Sequence, residues 1–299
     1  MMLNFFKKNT DIKNRTFSRD SLFVLHNLRD IDYNRYLACL LSPSKYRILL
    51  AFLYNFNAEL MNLRYVSNNP IVVDIRLQWW KDIFESSKED TLPDSISPFA
   101  VELLSIIRQY NIPYWLFLDM VEAHFFDPFS GSIFDCKKFE IYSFKIASHL
   151  IYIAAMILDC KDCSSFLSVI KHAGIAQFIG QLISQLPIHC KKGYLYFPLD
   201  ILEAVGLNRE SFLSGQDRDR ISLAIKIFAE LGLENLLKAR KDICYIPPDV
   251  FAAFIPVSIT ESILKNAQNN GFKIFSNSNE ISRFMNQWYI FSSSIRKIF

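Results

Sequence analysis

Apolar side chains return every three or four positions along almost the whole chain, and this spacing restricts the fold to helices. Over residues 44–66, Leu49, Leu50, Leu53, Phe56, Leu60 and Leu63 form one broad stripe. Ile75, Leu77, Trp79 and Ile83 extend the pattern over 71–84. Ile221, Ala224, Ile225, Phe228, Leu231 and Leu236 repeat it over 217–240. Residues 139–158 are apolar nearly all round, as expected of a helix at the centre of a bundle. No stretch alternates with the period of two that a strand requires. Eight glycines in 299 residues are too few for the tight turns of an all-β sandwich or propeller.

Helix starts are marked by a capping side chain followed by proline, at Ser42-Pro43, Asn69-Pro70 and Ser97-Pro98. Asp135 and Ser164 read as caps without proline. Further helices are expected over 99–110, 114–126, 166–189, 250–267 and 280–295. Residues 86–97 read as an exposed loop. No linker or repeat divides the chain. The reading is one all-α domain over residues 21–299 with about nine to twelve helices, behind a flexible segment over 1–20.

Charge and motifs exclude several classes of function. Thirty-three basic against 30 acidic residues leave +3, too little and too mixed for a nucleic-acid binder. The longest uninterrupted apolar run, residues 150–158, has nine residues. A bilayer span needs about 20, so membrane contact is expected to be peripheral at most. The N-terminal residues lack the apolar core of a secretory signal, so the expected location is cytoplasmic and the six cysteines are expected to be reduced. Cys160 and Cys163 form a CxxC with no second ligand pair for zinc. No phosphate-binding glycine loop, nucleophile elbow or HExxH is present. Composition and spacing alone disclose no active site.

Two blocks carry a resemblance. In the first, Pro43, Arg47, Tyr54, Phe56 and the RLQWW run over 76–80 fall where the squalene/phytoene synthase family has its P-x-x-R-R opening, its Y-x-F and a tryptophan helix. In the second, Gly193, Tyr196, Pro198 and Gly206 fit the G-R-x-Y-L-P block and the short helix after it. The resemblance covers most of the chain in the right order. It implies a single isoprenoid-synthase-like helical bundle around a central cavity. It also implies descent from enzymes that condense two prenyl diphosphates head to head. Such chemistry needs Mg²⁺ to neutralise the leaving diphosphate, held by aspartates at i and i+4 on two facing helices.

The resemblance places those aspartate positions on Met61 and Tyr65 in the first helix and on Gln185 and His189 in the second. None is a carboxylate, and thioether, phenol, amide and imidazole do not assemble a Mg²⁺ site. The expected cofactor set is therefore empty, with no catalytic residue assigned. Expected cavity or ligand contacts are Arg47, Tyr54, Glu59, Arg76, Trp79, Asp119, Glu122, Lys192 and Tyr196. Of the adjoining Trp79 and Trp80, at most one can face the core. Lys191 and Lys192 are explained by helix-end capping, and Tyr54 and Tyr196 by packing with satisfied hydroxyls. With FNAEL over 56–60, the chain most resembles the branch that includes the mitochondrial assembly factor of respiratory complex I and its bacterial relatives. That branch implies a non-catalytic protein binding an isoprenoid or other lipid, or a respiratory-complex protein. The alternative is an active prenyltransferase with Mg²⁺ ligands relocated to Asp119, Glu122 and Asp127.

Overall fold

The computed structural model describes residues 19–67, 69–88, 96–125, 135–275 and 283–299. Within them the chain is helical, with no strand. The first six helices are α1 (Arg19–Ile31), α2 (Tyr33–Leu41), α3 (Arg47–Val66), α4 (Pro70–Lys88), α5 (Pro98–Gln109) and α6 (Tyr114–Phe125). α7 (Cys136–Ser143) passes through a π-helical turn, Phe144–Ser148, into α8 (His149–Ile157). α9 (Leu167–Lys191) is followed by two short helices, α10 (Leu199–Ala204) and α11 (Arg209–Ser214). α12 (Arg218–Lys241), a 3₁₀ stretch (Phe251–Ile259), α13 (Thr260–Asn270), a second 3₁₀ stretch (Gly271–Phe275) and α14 (Arg283–Arg296) complete the described chain.

The core has two parts. In the first, Phe56 of α3 lies edge-on to Trp80 and Phe84 of α4, with ring centroids 4.9 and 5.7 Å away, and 5.6 Å from Phe117 of α6. In the second, α9 and α12 run side by side with α7 and α13 against them. Phe139, Phe197 and Phe228 meet there at 5.3 and 4.4 Å.

Several expected helix starts hold. Ser97 Oγ accepts from Ala100 N at 3.2 Å ahead of Pro98, Asn69 Oδ1 accepts from Ile71 N at 3.0 Å, and Asp135 Oδ1 accepts from Lys138 N at 2.7 Å. Ser42 does not behave this way. Its hydroxyl donates to Ala38 O at 2.7 Å, so it closes α2, and a 3₁₀ turn (Ser44–Tyr46) precedes α3. At Ser164 the capping oxygen belongs to Asp162, whose Oδ1 accepts from Ser164 N at 2.8 Å. The single helix expected over 250–267 is split. Pro256 lacks an N–H, and the chain there winds as 3₁₀ before α13 begins. α4 extends to Lys88, into the stretch read as a loop, and residues 89–95 lie outside those described. All six cysteines are free; Cys160 and Cys163 are buried with sulfurs 3.1 Å apart.

Candidate functional site

A cavity of about 260 Å³ opens between the start of α2, the middle of α3, the C-terminal half of α9 and the junction of the 3₁₀ stretch with α13. α3 turns Asn57, Met61 and Asn62 toward it. α9 turns Gln177, Gln181, Ser184 and Gln185 toward it, one face of a helix by their spacing of three and four. Ile259 and Ile263 form an apolar wall. Asp32 caps α2, accepting from Arg35 N at 3.0 Å, and its other oxygen pairs with the Arg35 guanidinium. Asn57 is 2% exposed, and Gln185 Oε1 is buried with no hydrogen-bond partner among the described residues.

One turn beyond Met61 and Gln185 the two helices are bridged by rings. Tyr65 of α3 and His189 of α9 stack with centroids 5.6 Å apart and planes 16° apart. Tyr194 lies edge-on to Tyr65 at 6.3 Å, and Tyr196 lies 5.0 Å from His189. Burial lowers the His189 pKa to about 4, so the imidazole is neutral at neutral pH. The Tyr65 hydroxyl is pushed up by burial, then by Tyr196 and Tyr194. Lys192 Nζ donates to Tyr65 O at 3.2 Å and sits 4.9 Å from that ring. Tyr194 Oη donates to Arg64 O at 3.3 Å. These carbonyls belong to the last turn of α3, where they lack helical partners. Lys192 thus caps α3, not its own helix as the sequence implied. Gly193, at φ +77°, takes the left-handed turn that leads away.

The remaining candidates lie outside this cavity. Glu59 Oε1 accepts from Arg76 Nε at 2.6 Å and from Trp80 Nε1 at 3.1 Å, tying α3 to α4. Arg76 also lies 4.1 Å from the Trp79 ring. Trp80 is fully buried and Trp79 half-buried, as adjoining residues on a helix must divide. Arg47 Nε donates to Ser42 O at 3.0 Å and closes the α2–α3 turn. Tyr54 packs at 2% exposure, but its hydroxyl has no partner among the described residues, contrary to expectation. Asp119 pairs with Lys145 at 2.9 Å, and Glu122 with Lys81 at 3.2 Å. Asp127 lies outside the described residues. Among the described residues no three His, Cys, Asp or Glu side chains converge on a point where a metal ion could sit.

Sequence reasoning reached Met61, Tyr65, Gln185 and His189 but missed the amides beside them. A signal for them was present: Gln177, Gln181, Ser184 and Gln185 form a polar stripe on an otherwise apolar helix.

Residues 28–285 match the sequence profile described as squalene/phytoene synthase. The chain belongs to the squalene/phytoene synthase family. Among relatives of this family member, "NADH dehydrogenase (ubiquinone) complex I, assembly factor 6" of Homo sapiens is 27% identical over 278 residues, 93% of this chain and 82% of that protein. The assembly factor 6 homolog of Drosophila melanogaster is 24% identical over 251 residues, 81% of this chain and 73% of that protein. Among solved structures, a dehydrosqualene synthase in complex with ligand superposes with a TM-score of 0.77 at 15% identity, covering 93% of this chain and 96% of the other. At that identity the likeness shows the isoprenoid-synthase fold.

Proposed function

We propose that this family member is a non-catalytic protein that assists assembly of a respiratory membrane complex, using the retained cavity to hold a partner or lipid. The observation that carries the reading is the stack of Tyr65 on His189, across the two helices that the family resemblance marks for metal-diphosphate binding. A thioether, a phenol, an amide and a neutral imidazole are a donor set unsuited to Mg²⁺, which takes carboxylate and water oxygens in octahedral geometry. Asp32, the acid at the cavity, is already paired with Arg35. The named relatives supply the assembly role. The reading with relocated ligands draws no support from Asp119 and Glu122, since each is paired with a lysine from a different element.

Work at a membrane surface is part of the proposal. Two stretches, Cys136–Ile157 and Ser164–Lys191, are long and apolar enough to cross a bilayer, but 67% of each such window is packed inside the fold. That supports core helices. α14 supports contact from outside. Phe284, Trp288, Phe291 and Ile295 form a stripe along it, each at least half exposed, while Ile290 and Ser293 face the core. Residues 283–299 carry three basic and no acidic side chains, which suits an anionic lipid surface.

Calorimetry with a non-hydrolysable farnesyl diphosphate analogue, with and without Mg²⁺, tests the central reading. Absent or Mg²⁺-indifferent binding is expected. Tight binding abolished by chelation would show a working metal site and overturn it.

A further inference from the structure

The geometry points to an uncharged, hydroxyl-bearing amphiphile as the ligand of the cavity, its head held by the amides of Asn57, Asn62, Gln177, Gln181 and Gln185. Asn57 is 98% removed from solvent and lines the cavity, and its side chain makes no hydrogen bond within the described residues. Gln185 Oε1 is fully buried and equally unpartnered. Asn62, Gln177 and Gln181 line the same space with no side-chain partner within the described residues. A buried amide left without a partner is destabilising. Asn57 and Gln185 Oε1, with the half-buried amides of Asn62, Gln177 and Gln181 on the same two facing helices, leave hydrogen-bonding capacity for a group that enters.

The chemistry of the lining selects the ligand. An amide both donates and accepts, and so does a hydroxyl, so vicinal hydroxyls match this wall. A phosphate or carboxylate accepts only and needs a counter-charge on burial. The cation at the cavity, Arg35, is already neutralised by Asp32. The wall of Ile259 and Ile263 suits a short apolar chain. The volume equals that of about nine liquid waters, enough for a diol head and part of such a chain. This assignment rests on the reading that the cavity no longer serves metal-diphosphate chemistry.

The test is calorimetric titration of the full chain with 1-O-octylglycerol and with octyl phosphate, both below their micelle concentrations. Saturable binding of the glycerol ether is expected, with octyl phosphate weaker by about tenfold or more. Asn57→Leu and Gln181→Leu should each weaken the glycerol ether about tenfold, Gln181→Leu without changing the melting temperature. Gln181 is half-exposed, so its variant reads the contact even if Asn57→Leu folds poorly. Equal or tighter binding of octyl phosphate would overturn the proposal, as would no binding of the glycerol ether or undiminished binding by both variants. If the glycerol ether fails while the farnesyl diphosphate analogue stays Mg²⁺-indifferent, only the ligand class falls. Mg²⁺-dependent binding of that analogue would instead remove the non-catalytic reading itself.

Discussion

At Gly174 a Cβ would lie 2.4 Å from Ser148 Oγ and 2.6 Å from Ser148 Cα, because α9 crosses the π turn there almost backbone to backbone. A side chain could rotate away, but a Cα cannot. Gly174→Ala should therefore lower stability by about 1–3 kcal/mol, read as a shift in the urea midpoint. Three buried histidines act through protons. Burial lowers the pKa of His124 from 6.5 to about 3, and those of His149 and His189 from 6.5 to about 4. Unfolded, each binds a proton near its ordinary value; folded, each stays neutral until about pH 4 or below. The unfolded state holds more protons across that window, so stability must fall as the pH drops from about 7 to 4. Urea unfolding at about pH 7, 5.5 and 4.5 should show a falling midpoint, and His189→Gln should flatten the slope. A flat profile in the parent protein would mean that these rings meet solvent.

Caps and spacing set the helices one by one. Removing the Ser97 hydroxyl leaves the Ala100 N–H of α5 without its acceptor, so Ser97→Ala should cost about 1 kcal/mol in thermal or urea unfolding. Asp135 and Asn69 were legible in the same way, because a cap acts over three residues. Ser42 was not. Its hydroxyl could accept from an N–H opening the next helix or donate to a carbonyl ending α2, and the close of α2 won. The π turn at Phe144–Ser148 was also invisible to periodicity, since one extra residue in a helix that is apolar all round changes no stripe. The polar face of α9 was written in its spacing, yet a stripe of glutamines says nothing of what stands opposite.

For the molecule as a whole, α14 turns one face to the core and leaves an aromatic stripe outside. Contact with an anionic bilayer should make the chain co-sediment with phosphatidylcholine vesicles containing phosphatidylglycerol, less so at high salt. Trp288→Ser and Phe291→Ser should each weaken that association by about 2 kcal/mol, with no change in melting temperature, because both side chains are at least half exposed. Vesicle binding unchanged by both substitutions would place the membrane contact elsewhere or remove it.

Residue order was enough to make this chain all-helical, while the placing of metal-binding positions on Met61, Tyr65, Gln185 and His189 is an expectation drawn from the family resemblance. Helical periodicity, capping and residue chemistry are local properties. They act within a few turns and need no knowledge of neighbours. The pairing of Tyr65 with His189, the capping of α3 by Lys192 and the convergence of five amides were decided by the fold. Each joins residues far apart in the chain, and each depends on how α3 and α9 face one another. The same holds for Glu59. In sequence it is a stray acid beside a motif; in the folded molecule it is held by Arg76 and Trp80.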